Sequence, residues 1–62
     1  MTEVIIFNSK EDGAEYYRTG KKTYLSRKTF KTIPVAVMYA WEKSLHLEKG
    51  QSIVIGEVKE EE

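Results

Sequence analysis

The first apolar block, Val4-Ile5-Ile6-Phe7, is short and rich in β-branched residues, and it predicts a strand over 3–10. Asp12-Gly13 and Thr19-Gly20 then punctuate the chain about seven residues apart, with Tyr16, Tyr17, Thr23 and Tyr24 between and after them. Tyrosine and threonine favour strands and Asp-Gly favours a tight turn, so a three-stranded meander is expected, with further strands at 14–18 and 22–26. A second reading competes for the middle element. Ser9 followed by Asp12 resembles a capping box, and Gly20 can close a short helix over 10–18. Gly13 in mid-helix costs about 1 kcal/mol relative to alanine, which tips the expectation toward the strand.

The helical pattern further on is clearer. Pro34 suits a first helical turn, and Val37, Met38, Trp41 and Leu45 form one stripe at i, i+1, i+4 and i+8. A helix over 34–48 is expected, its stripe facing the core and Gly50 stopping it in a left-handed conformation. An exposed Trp41 would instead mark a contact point for a partner. Ser52 to Val58 reads as a last strand, and the charged residues 59–62 as a frayed end.

The fold class is therefore α+β: a small single-layer antiparallel sheet in the order β-β-β-α-β with one helix packed on it, all within a single domain spanning 1–62. The first and last strands are apolar on both sides, yet one helix covers one face only. Either the sheet curls into a half-barrel or a second chain supplies the missing cover. Chains this short bury only about 60% of their unfolded surface, and small folds recruit disulfides, metals or partners. Cysteine is absent and His46 is the sole histidine, so disulfides and structural zinc are not expected. A homodimer is.

Composition narrows the class further. No cofactor is expected, and no enzyme: the serines lack a nucleophile-elbow setting, the glycines form no phosphate loop, and Glu42 with His46 makes a lone pair on one helix face. No apolar run approaches the roughly 20 residues of a membrane span, and no signal segment is recognised, so a cytoplasmic protein is expected. Glu and Lys are abundant while Asn8 and Gln51 are the only amides, a thermophile tendency.

Charge changes the picture most. The net charge is zero, but the charges are not mixed. Arg18, Lys21, Lys22, Arg27, Lys28 and Lys31 occupy residues 16–41 without one acidic residue, and acids prevail on either side. Hydroxyls and aromatic rings interleave with these cations. Cations neutralise phosphates, hydroxyls donate to phosphate oxygens and rings stack on bases. The pattern points to a nucleic-acid-binding protein. Arg18, Lys21 and Lys22 would sit on a hairpin with Tyr16, Tyr17 and Tyr24 as stacking platforms, and Arg27, Lys28 and Lys31 would extend the footprint. Two alternatives stand beside it. Lysines also protect edge strands from unwanted pairing. A tiny chain without motifs also fits a protein–protein interaction module, such as a virus- or phage-encoded factor that modulates a host protein.

Overall fold

The computed structural model describes residues 1–58; the expected frayed end, 59–62, lies outside them. The elements are β1 (Thr2–Phe7), α1 (Lys10–Thr19), β2 (Tyr24–Phe30), α2 (Ile33–Ser44) and β3 (Ser52–Glu57). The fold is α+β, with one open antiparallel sheet in the order β2-β1-β3. The expected sheet class holds. The expected second strand does not, because residues 10–19 form a helix and the order is β-α-β-α-β.

Local chemistry explains that helix. Ser9 is its N-cap, its Oγ accepting from the Asp12 N–H at 3.1 Å, and Gly20 closes it at φ 78° while donating to the Tyr16 carbonyl at 2.9 Å. Glu11 and Asp12 in the first turn and Arg18 in the last complement the helix dipole. Gly13 is placed where only a small residue fits, since a Cβ there would lie 3.3 Å from Cδ2 of the fully buried Phe7. Close approach to Phe7 thus offsets the helix penalty that favours a strand reading.

The two helices cover opposite faces of the sheet. Residues directly paired across antiparallel strands share a face, so Val4 and Ile6 stand with Ile53, Ile55 and Phe30, whereas Glu3, Ile5 and Phe7 stand with Arg27, Val54 and Gly56. Ala36 and Ala40 of α2 pack on Val4, flanked by Phe30, Tyr39 and Ile53. On the other face Phe7 meets Tyr16 and Tyr17 of α1, at ring separations of 5.6 and 6.3 Å. All six residues of β1 are buried. The second cover that the apolar strands require is therefore α1, and the open sheet needs no half-barrel.

The stripe expected in the core is on the outside. Met38, Trp41 and Leu45 are 72, 70 and 66% exposed, and Ile33, Val35 and Val37 are also open to solvent. The sheet instead receives the small residues Ala36 and Ala40, which let helix and sheet approach closely while the bulky side chains project away. Hydrophobic periodicity marks a helix but cannot choose between an alanine face and a bulky one. The helix also stops four residues earlier than expected. Gly50, at φ 92°, serves a reverse turn in which Gln51 N–H donates to the Glu48 carbonyl and Glu48 N–H to Gln51 Oε1.

Three strands span only about 10 Å sideways, two inter-strand gaps, and the narrowest dimension of the chain is 12 Å against 33 and 28 Å for the others. Both edge strands therefore open onto broad faces of a thin slab, and these faces differ in character.

Candidate nucleic-acid interface

The topology decides where the basic block goes. β2 is an edge strand carrying Arg27 and Lys28, preceded by the loop with Lys21 and Lys22 and followed by Lys31. The basic segment of the sequence thus lines one broad face of the slab, along the open edge of the sheet. The expected hairpin does not exist: Arg18 closes α1, and Lys21 and Lys22 belong to the turn from helix to strand. That turn is pinned, because Thr23 Oγ1 donates to the Asp12 carbonyl at 2.6 Å and the Lys21 N–H to Thr19 Oγ1 at 3.2 Å. Arg27 and Lys28 are neighbours in a strand and so point to opposite faces.

The cations differ in their freedom. Lys21, Lys22, Lys28 and Lys31 are exposed and make no ion pair among the described residues. Arg18 pairs with Glu15 at 2.7 Å on the surface, an interaction worth little and readily exchanged. Arg27 is committed more firmly: its Nε donates to Oε1 of the buried Glu3 at 2.8 Å. Burial works against the charge on Arg27, but the hydrogen bond and the field of Glu3 outweigh it and hold its pKa above the ordinary arginine value. Arg27 is first a structural strut on β1.

The tyrosines are spoken for as well. Tyr16 packs edge-on against Tyr17 and Tyr24 at ring separations of 5.0 and 5.7 Å, beside Phe7. These rings glue α1 to the sheet, and Tyr16 and Tyr24 are half-buried. Tyr17 exposes a flank, but a methyl built on Gly56 would lie 3.6 Å from its hydroxyl, with Glu3 close by. Loss of solvent, then the charge of Glu3, raises the Tyr17 pKa. A phenol whose folded pKa is raised adds stability that is complete below its unfolded value of about 10 and is lost as pH rises through the folded value. Urea melts at about pH 9 and about pH 10.5, either side of the ordinary phenol pKa, should show the wild-type midpoint falling further than that of Tyr17→Phe.

One part of the basic side is absent from the sequence reading. Lys28 and Lys43 both lie over the ring of Tyr39, at 5.8 and 5.5 Å from its centre, and Tyr39 packs on Phe30 at 5.0 Å. Lys43 belongs to an acidic stretch of sequence, but α2 returns it to the basic side. Its i, i+4 spacing from Tyr39 was the available signal.

The opposite edge is unlike this one. β3 contains no cation and ends in Glu57. Other concavities are shallow: a groove of about 640 Å³ lies between the start of α1 and the Gly50 turn, lined by Ser9, Lys10, Glu11, Ala14, Gly50 and Gln51, and is open to solvent. Among the described residues no helix is long and apolar enough to cross a membrane.

Fold and charge together define a thin α/β/α slab, built on a three-stranded antiparallel sheet, with one basic edge and an opposite edge whose strand is apolar and carries a single acid, Glu57. Comparison with protein-family models, curated proteins and solved structures finds no match to this chain.

Proposed function

We propose that the chain is a nucleic-acid-binding protein that grips the phosphate backbone along its β2 edge, working in the cytoplasm without a cofactor and without catalysing a reaction. The observation that carries this reading is the gathering of Lys21, Lys22, Lys28, Lys31 and Lys43 around one open strand edge, away from Glu57 on the far edge. A seven-residue strand is about 23 Å long, enough to follow roughly seven nucleotides at about 3.4 Å per step. Recognition rests on charge and hydroxyls, since Tyr16 and Tyr24 serve packing. Binding of this kind reads backbone rather than base sequence. Reversing Lys21 and Lys22 to glutamate tests it: affinity for oligonucleotides at low salt should fall at least tenfold, and unchanged affinity would reject the basic edge as the site.

A second reading is favoured by a separate observation, the exposure of Met38 on the outer side of α2 and of Leu45 at its C-cap. Contiguous apolar surface of this kind is where other proteins dock. A nuclease-resistant complex with a defined protein, lost in Met38→Glu, supports that role; partners recovered only through nucleic acid count against it.

A further inference from the structure

The two edges of the sheet are defended differently. β2 carries Arg27 and Lys28, and its pairing with β1 is interrupted by a bulge at Ile6/Phe7. Charge and bulges are the devices that keep an edge from pairing with another chain. β3, Ser-Ile-Val-Ile-Gly-Glu, has neither lysine nor proline, and its register with β1 is unbroken from Thr2↔Glu57 to Phe7↔Ser52. Its outer row of N–H and C=O groups faces away from β1. Beside it Ile33, Val37 and Trp41 form a single i, i+4, i+8 row on α2, 63, 46 and 70% exposed, and Ile55 is 45% exposed.

We infer that a second copy of the chain occupies this side, β3 pairing antiparallel with its own copy to make a continuous six-stranded sheet. The two α2 helices then lie antiparallel in the layer above. Self-complementarity is built into the spacing. Ile33 borders a notch of about 220 Å³ with Thr2, Ile55, Gly56 and Glu57, so it stands level with the end of β3. Val37 is about 6 Å further along the helix, and Ile55, two residues back from Glu57, is about the same distance from that end of β3. Because directly opposed residues share a face, the two-fold axis passes through a residue, and an axis through Ile55 lies beside Val37. Ile33 and Trp41 are each four residues from Val37, so the axis lays Trp41 of one copy over Ile33 and the notch of the other. Such a contact is isologous and closed.

Charge and area agree with this occupant. The Ile33–Val37–Trp41 row and the side chains of β3 before Glu57 are uncharged, which asks for an equally uncharged partner face, and the same face on a second copy supplies it. This row, the half-exposed Ile55 and the strand edge are what such a contact would bury, toward the ~800 Å² each partner contributes to a standard interface. The chain also needs help, since more of its large apolar side chains are exposed than buried. The inference is independent of the nucleic-acid reading, and it leaves both β2 edges free at the two ends of the joined sheet.

The chain has no cysteine, so introduced ones report alone. Val37→Cys should oxidise to a covalent dimer, because the axis brings the two Cα atoms within the roughly 4.4–6.8 Å a disulfide tolerates. Met38→Cys, more exposed but pointing away from the axis, should not. Sedimentation equilibrium of the unmodified chain should give twice 7.2 kDa. Trp41→Ala should raise the dimer dissociation constant at least about 30-fold, and Ile55→Lys, which puts a charge on the edge, should yield monomer. A monomer at all concentrations up to millimolar overturns the proposal, and so does a covalent dimer that forms in Met38→Cys but not in Val37→Cys. Occupation of this face by a different protein while the isolated chain stays monomeric overturns it as well.

Discussion

Phe7→Ala is expected to remove about half or more of the chain's folding stability at 25 °C. Phe7 is fully buried at the end of β1, where Gly13, Tyr16 and Tyr17 of α1 close over it. Truncating a buried phenylalanine costs about 3–5 kcal/mol in lost transfer and cavity formation. At about 0.05–0.15 kcal/mol per residue, a chain of 62 residues has roughly 3–9 kcal/mol in all. The substitution also removes the ring on which α1 rests, so the loss is shared by the helix and the sheet. Urea denaturation followed by circular dichroism, at fixed protein concentration, measures it. A stability within about 1 kcal/mol of the unmodified chain, well short of the expected cavity cost, would mean that α1 is not held by Phe7. Phe7→Leu, which keeps most of the volume, should fold.

The second large effect is expected at Arg27. Its removal leaves the carboxylate of Glu3, buried in the central strand, without its hydrogen-bond donor. Breaking a fully buried ion pair costs about 3–5 kcal/mol. Arg27 retains a third of its side-chain exposure and water reaches the site, so about 2 kcal/mol is expected for Arg27→Ala. Replacing both members together, Glu3→Leu with Arg27→Leu, should recover most of that loss, because no buried charge then remains unpaired. A double variant as unstable as the single one would show that the pair is not the cause. Nucleic-acid binding by the double variant should be reduced only slightly, since Arg27 is already engaged by Glu3.

Much of the framework is legible in the sequence, and the reasons for the rest are specific. The Ser9–Asp12 cap and Gly20 stop of α1 are both present as signals. They lose to Gly13 and the tyrosines because no local rule shows that Gly13 lies under Phe7. The buried face of α2 is misread because Ala36 and Ala40 are weaker hydrophobic markers than Met38 and Trp41. Close packing on the sheet selects small residues, and that depends on a tertiary neighbour. The charge block is visible in the sequence as a block. Its conversion into one side of the molecule depends on β2 taking an edge position, and strand order is set by long-range pairing.

The basic residues of the candidate site divide on the same grounds. Lys21, Lys22, Lys28 and Lys31 are read from sequence and stand free of ion pairs among the described residues. Tyr16, Tyr17 and Tyr24 are read as stacking platforms; Tyr16 and Tyr17 pack on Phe7 and Tyr24 packs on Tyr16, while Tyr17 keeps more than half of its surface exposed. Alternation along a strand does not foretell them, because Tyr16 and Tyr17 are in a helix. Lys43 enters only through its shared ring, Tyr39.

The central claim is that the β2 edge is a phosphate footprint, and salt is its most direct probe. Labelled single- and double-stranded oligonucleotides, titrated with the chain and followed by fluorescence anisotropy at about 50 and 200 mM salt, give the comparison. Five lysines contacting phosphates predict an affinity loss of roughly 100- to 500-fold over that range, with single strands at the lower end. The loss should shrink in Lys21→Glu/Lys22→Glu, and no binding even at the lower salt concentration would contradict the claim, leaving β2 as an edge merely protected by its charges.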